Sequence, residues 1–427
     1  MIEGQCVLRR GSPLRFLDVS DDSLISNEKA VLSRRLSDFL REILSVWRNP
    51  QRTSGKDALK EKVLIAFVET DSHVSDFDSY LSRVLPTACA KELIVIVLRN
   101  QDWLSGEFQQ KIIDGISGQS ETVYRASIGE ALVFFGKRSA FSSSRLGSRN
   151  PVVELSLGEA VIQLEIWAAR RDGRKWRNLP RLFIPGFPKC GTTALHEMLV
   201  QHSQISGAVE DDGTSCKEVR FFTRRYAEGL DWYSNQFKDR RSINLDATPI
   251  YLSNRHILNR IRKHIHNARF IIVMRDPVIR SYSHWNFWNL LPPDEQARFR
   301  LPFPEGTFED NLRGDIDTLK KDCFPGLFSC GLYFEQIKML RSLYSDDAIH
   351  YCFTEDLKSN PDKELNRIQD FLEIRQERIK TSSANSVSYI VPPLKKETEQ
   401  WLTEAYADTV KKLRSELNLN PPWSRWK

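Results

Sequence analysis

The sequence predicts an α/β protein, a parallel sheet flanked by helices and preceded by a smaller α/β module. Three observations predict it. Residues 183–195 pass from an apolar stretch through a small-residue loop into a helical pattern. Residues 270–283 pass from a buried-type strand through Arg-Asp-Pro into a second helical pattern. Residues 60–136 alternate strand-like and helix-like segments. Strands alternating with helices build parallel sheets, and such sheets hold ligands beyond the carboxyl ends of their strands.

The elements follow in chain order. Residues 1–58 are polar and charged, with an amphipathic helix expected at 27–47, where Leu32, Leu36, Phe39, Leu40 and Leu44 recur at helical spacing. Residues 59–136 read as the small α/β module, with strands at Val63–Val68, Leu93–Leu98 and Thr122–Ala126 and helices at Phe77–Val84 and Phe108–Ile116. It lacks a glycine-rich turn, so its pattern indicates no nucleotide site. Residues 137–179 read as linker and strand pair: Lys137–Pro151 is rich in Ser, Arg and Gly, and strands are expected at Val152–Leu157 and Ala160–Ile166. Arg170, Arg171, Arg174, Lys175 and Arg177 then form a basic lead-in to the main domain, residues 180–427.

In the main domain, Phe183-Ile-Pro-Gly-Phe-Pro-Lys-Cys-Gly-Thr-Thr-Ala-Leu195 has the order of an anion cradle. Backbone N–H groups at a helix N-terminus converge on one point and favour negative charge. Lys189 adds a point charge, and Thr192 and Thr193 add hydroxyl donors expected to cap the helix. The mononucleotide pattern G-x-x-x-x-G-K-[ST] is half met: Gly186 and Gly191 have its spacing, but Thr192 stands where it needs Lys. Further on, Phe270–Met274 leads to Arg275, with Asp276 a helix cap and Pro277 at the first helical position. An Arg fork with Ser283 about two turns along the next helix suits a phosphate monoester.

The order Pro188-Lys-Cys-Gly-Thr-Thr193 resembles the 5′-phosphosulfate loop of the sulfotransferases, which use 3′-phosphoadenosine 5′-phosphosulfate (PAPS). Arg275 and Ser283, eight positions apart, match the family pair that holds the 3′-phosphate. The resemblance spans about residues 180–427 and includes Gly331–Gln336, His350–Leu357, Ser359–Pro361, Ile368–Leu372 and the helix through Trp401, Leu402 and Tyr406. It implies a P-loop-like sulfotransferase domain, closest to the carbohydrate enzymes. Lys189, Cys190, Gly191, Thr192, Thr193, Arg275 and Ser283 would bind PAPS, and Lys189 would also serve catalysis. Lys217-Glu-Val-Arg-Phe-Phe222 resembles the heparan-type string whose Glu is the base, so Glu218 is expected to take the acceptor proton; a simple ion pair with Arg220 or Arg224 is the structural alternative.

Departures from the family qualify the acceptor. Asn244–Tyr251 occupies the place of a substrate segment, but Ala247 stands where the heparan-type version has Lys before Thr-Pro. That removes a positive charge facing an acidic sugar. A carbohydrate acceptor is expected, with a small lipophilic acceptor and a His base (His196 or His202), or a non-catalytic nucleotide binder, as alternatives. The cationic stretch Arg255–Arg269 reads as the solvated side of a helix whose other face is Ile257, Leu258, Ile261 and Ile265. Tyr282, Trp285, Phe287 and Trp288 suit sugar stacking or core packing.

The 62 basic and 56 acidic residues leave +6, which fits an anionic ligand and does not by itself argue for nucleic acid. No apolar run reaches the ~18 residues of a membrane span. Met1–Cys6 lacks signal-peptide form, and no Asn-x-Ser/Thr acceptor occurs. These features read as cytoplasmic, with the Golgi lumen the alternative if an anchor lies outside these residues. The seven cysteines read as reduced thiols, Cys323 and Cys330 being the pair near enough in sequence to bridge. No metal-ligand spacing is present, so no metal is expected.

Overall fold

The computed structural model describes residues 178–210, 213–238, 243–289, 306–319, 323–381 and 393–426 and, before them, chiefly the strands of a first sheet. The chain divides into two compact units, residues 1–175 with 226–230, and residues 176–225 with 231–427.

In the first unit, β1 (Leu14–Phe16), β2 (Val63–Val68), β3 (Leu93–Arg99), β4 (Val123–Ile128), β5 (Ala131–Lys137) and β6 (Val152–Leu155) form one sheet in the order β1-β2-β3-β5-β4-β6. The sheet is mixed, with β2 parallel to β3, β4 parallel to β6, and β5 antiparallel to both its neighbours. The predicted strands at 63–68, 93–98 and 122–126 are present. Strand β5 lies in a stretch where none was expected; it begins three positions after the end of β4 and pairs with it antiparallel, as close sequence neighbours can. Ala160–Ile166 is not a strand. Its described residues are helical, and Ile162, Glu165 and Ala169 are buried at helical spacing. A short apolar run does not distinguish the two periods, and Ala, Gln, Leu and Glu favour helix. The helices expected at 27–47, 77–84 and 108–116 lie outside the described residues.

The second unit is built on a sheet of order β12-β11-β7-β10-β8-β9, comprising β7 (Leu182–Phe183), β8 (Ile205–Val209), β9 (Ser215–Cys216), β10 (Ile243–Asp246), β11 (Arg269–Met274) and β12 (Ile349–Phe353). Every pair is parallel except β8–β9. Central β7 is short, yet its chain continues the ladder: Phe187 N–H donates to the Val273 carbonyl (2.9 Å), and Val273 N–H to that of Gly186 (3.0 Å). Phe183, Phe222, Tyr251 and Phe270 are fully buried, and their rings meet at 5.6–6.5 Å.

Helices α1 (Thr192–Leu199) and α3 (Pro277–Asn289) begin just past the carboxyl ends of β7 and β11, with α2 (Arg255–His264) between them. Further along are α4 (Phe308–Asp317), α5 (Tyr333–Arg341), α6 (Thr354–Ser359), α7 (Pro361–Leu372), α8 (Lys396–Ala405) and α9 (Ala407–Leu417). As predicted, Ile257, Leu258 and Ile261 are the buried face of α2. Its cations bond locally: Arg255 to Ser342, Arg260 to the Phe222 carbonyl and Arg262 to that of His266. Among the described residues no helix is long and apolar enough to cross a membrane.

Candidate active site

The loop Ile184–Gly191 leaves β7 and turns through two left-handed positions, Lys189 (φ 67°) and Gly191 (φ 85°). Gly186 lacks a side chain for a packing reason: a Cβ there would lie 2.7 Å from Leu252 Cδ1. Gly191, not Thr192 or Thr193, is the cap of α1. The threonines are therefore its first two residues, a correction to their expected capping role; glycine takes the cap because the loop enters the helix at positive φ. The N–H groups of the first turn have no intrahelical acceptor, the arrangement that favours an anion at a helix N-terminus. Thr192 is buried and Thr193 exposed.

Cys190 supplies backbone only. Its thiol is fully buried, 3.7 Å from the Tyr333 hydroxyl, and burial pushes its pKa up to about 11. Thr354, opening α6, donates to the Cys190 carbonyl (2.7 Å) and lies 3.0 Å from that of Met274. One hydroxyl thereby ties the loop to the end of β11.

Arg275 follows β11 and donates from NH1 to the Lys189 carbonyl at 3.3 Å. Asp276 caps α3 as predicted, its Oδ1 accepting the N–H groups of Val278 (2.9 Å) and Ile279 (3.1 Å). Lys189 Nζ lies 3.9 Å from the centre of the Phe287 ring. Ser283 is one turn before Phe287, so these two share a helix face, on which Ile279 is 39% exposed. The structure thus brings Lys189, Gly191, Thr192, Thr193, Arg275 and Ser283 to the region beyond the carboxyl ends of the neighbouring strands β7 and β11. Tyr282 and Trp285 pack with Phe308 in the core, Trp288 meets His284 and Phe287, and Phe287 reaches Lys189 of the loop.

The electrostatics are those of a partly buried cation with like charges nearby. The pKa of Lys189 falls from 10.5 to about 8, first through burial, then through repulsion by Arg275 and Lys217, with Glu218 acting the other way. Cations crowded at half-buried positions are relieved by a negative charge.

Glu218 lies within electrostatic reach of Lys189 and is gripped on both oxygens. Lys217 Nζ donates to Oε1 (3.0 Å), and Arg220 donates to Oε2 from NH2 (2.6 Å) and Nε (3.1 Å). The Arg220 ion pair offered as the structural alternative is therefore present; the carboxylate is nonetheless 29% exposed. The two cations outweigh burial and lower its pKa. Arg220 is itself left-handed (φ 56°), and its N–H donates to Thr248 Oγ1 at 3.2 Å. Thr248 donates to Asp246 Oδ1 (2.6 Å), while Tyr233 and Tyr251 donate to Oδ2 (2.7 and 3.0 Å). Burial raises the Asp246 pKa to about 6 against these hydroxyl donors.

Sequence reading missed the supporting residues Asp246, Thr248, Tyr333 and Thr354. Their only signal was position: Asp246 and Thr248 lie in the Asn244–Tyr251 string, and Thr354 directly follows β12. Of the candidate histidines, His202 has both nitrogens engaged, one with the Arg375 carbonyl (2.8 Å) and one with Gln204 N–H (3.0 Å). His196 is buried, pushed down to about 4 by burial and Lys217, and its Nε2 has no hydrogen-bond partner among the described residues. Cys323 and Cys330 are free thiols: Cys330 donates to the Phe324 carbonyl, and Cys323 accepts from Asn254. No group of three metal-ligating side chains occurs among the described residues.

Residues 179–399 match the family described as "Sulfotransferase domain". The chain is 26% identical over 321 residues to the membrane-associated sulfotransferase kil1 of Dictyostelium discoideum, covering 57% of this chain and 66% of that one. It is 29% identical over 207 residues to heparan sulfate glucosamine 3-O-sulfotransferase 3B1 of Mus musculus, covering 48% and 49%. The matches therefore span about half to two thirds of these relatives' lengths. A solved sulfotransferase from Alicyclobacillus acidocaldarius aligns with a TM-score of 0.46 at 20% identity, covering 58% of this chain and 98% of that one. With both anion motifs inside the matched region, the chain belongs to the sulfotransferase domain family.

Proposed function

We propose that this protein transfers a sulfo group from PAPS to a hydroxyl of a carbohydrate acceptor, with Glu218 as general base. The observation that carries the reading is the cation group at the loop: the charge of Lys189 is disfavoured by burial and by Arg275 and Lys217, and the Glu218 carboxylate is within electrostatic reach. The donor set suits PAPS. The loop from Lys189 to Thr193 would hold the 5′-phosphosulfate, and Arg275 with Ser283 the 3′-phosphate. Bound there, PAPS supplies an activated sulfo group, and the protein supplies position and charge.

Glu218 takes the hydroxyl proton as the acceptor oxygen bonds to sulfur. The sulfur–oxygen bond to the nucleotide phosphate breaks, and Lys189 stabilises the electron pair left on that phosphate oxygen. Three donors occupy the two Glu218 oxygens and the carboxylate is 29% exposed, which leaves an acceptor site for the incoming hydroxyl. Lys217 and Arg220, paired with Glu218, would supply positive charge to an acidic sugar, in partial compensation for Ala247. A His base is disfavoured because both His202 nitrogens are occupied and His196 is buried.

The test is binding and turnover together. Adenosine 3′,5′-bisphosphate (PAP) should bind far more tightly than ADP or ATP, and radiolabelled PAPS should label a glycan from an acceptor panel. Equal affinity for PAP and ATP would refute the reading.

A further inference from the structure

We propose that the segment Pro421–Trp426 is a strap that sets the 3′-phosphate half of the site, with Trp423 and Arg425 as positioning residues; this rests on the PAPS reading above. The peptide joining Arg275 to Asp276 is held on both sides. Its carbonyl accepts from the Tyr333 hydroxyl at 2.7 Å, and its N–H donates to Glu355 Oε1 at 3.2 Å. Trp423 engages both holders: its indole N–H donates to Glu355 Oε2 at 3.2 Å, and its ring meets Tyr333 with centroids 5.9 Å apart.

Arg425 closes the circuit. Its Nε donates to Asp276 Oδ2 at 2.8 Å, and its NH1 bonds Glu399. The other Asp276 oxygen caps α3, the helix that carries Ser283. The backbone that aims Arg275 and the helix start that places Ser283 are thus clamped from one short segment. Trp423 is 2% exposed, and it also packs edge-on against Phe353, at the end of β12. Tyr333 extends the connection to the first motif, its ring 4.4 Å from that of Phe187.

A segment that only adds packing would change stability and affect every nucleotide alike. A strap on the Arg275 peptide changes recognition of the 3′-phosphate. The test compares PAP, which has that phosphate, with ADP, which lacks it, by calorimetry on the full chain. Trp423→Phe keeps an aromatic ring and removes the bond to Glu355; Arg425→Ala removes the tie to Asp276. Each should raise the Kd for PAP about tenfold, equivalent to ~1.4 kcal/mol, and leave that for ADP within about twofold. Arg425→Lys should recover part of the loss. Because the two ties meet on Asp276, one at its N–H through Glu355 and one at its carboxylate, the double variant should lose less than the product of the single losses.

Parental PAP affinity in both single variants, or equal losses for PAP and ADP, would overturn the strap. If Arg425→Ala does not fold, Trp423→Phe decides the matter alone. A parent that fails to prefer PAP over ADP would instead defeat the PAPS reading itself.

Discussion

The charge state of Lys189 should make cofactor binding depend on pH in a defined direction. In the free protein this lysine sits at about 8 against its ordinary 10.5, with burial the largest cause and Arg275 and Lys217 the next. Between those values the unfolded chain binds more protons than the fold does. The charge of Lys189 therefore subtracts from stability below pH 8, and this cost is relieved as pH rises through 8 toward 10.5. A bound phosphate reverses the balance by favouring the ammonium form, so PAP binding above pH 8 should take up a proton at Lys189.

Affinity should accordingly be flat up to about pH 8 and then fall by as much as ~10-fold per pH unit. Recovery of the full ordinary pKa in the complex would make the total loss on the order of 10²-fold. Phosphate ionisation does not interfere, because its second proton leaves near pH ~6. Calorimetry from about pH 7 to about pH 10, in two buffers of different ionisation heat, measures both the affinity and the proton taken up. Lys189→Arg, charged throughout this range, should bind without the slope. An unchanged Kd across the range for the parent, or the same slope in Lys189→Arg, would refute the reasoning.

Glu218→Gln should lower transfer by ~10²-fold or more with PAP affinity within a few-fold of the parent, measured by initial rates and calorimetry. The ion pairs with Lys217 and Arg220 hold the Glu218 pKa low, so the acid limb of the parent's rate profile should fall below the usual glutamate range. Thr248→Val removes the acceptor for Arg220 N–H and leaves Asp246 with a donor fewer. Arg220 is left-handed, a conformation costing ~1–2 kcal/mol, and the lost bond offsets ~1 kcal/mol of it. The turn carrying Glu218 should loosen: kcat should fall about tenfold with the Kd for PAP unchanged, and an unaltered kcat would show that Thr248 does not position the base.

The two anion motifs were legible in the sequence because each is contiguous. An apolar strand, a turn and a helix start lie within a dozen or so residues, and the local order alone places Lys189 and Arg275 at strand ends. Asp276 as a cap and Ile257, Leu258 and Ile261 as a buried face follow from the same local rules, and the structure has both. Ala160–Ile166 marks their limit, since seven mostly apolar residues satisfy either period and burial chose the helix.

Tertiary structure alone decided what surrounds those residues. Arg275 reaches the Lys189 carbonyl across 86 positions of chain, and Arg425 reaches Asp276 across 149. Asp246, unremarkable in sequence, becomes a buried carboxyl serving three hydroxyls because β10 brings it beneath the Glu218 turn. Periodicity and capping act between neighbours along the chain, so a sequence displays them. Burial and charge act between neighbours in space, and the pKa of Lys189, the grip on Glu218 and the clamp on the Arg275 peptide arise only once distant segments pack together.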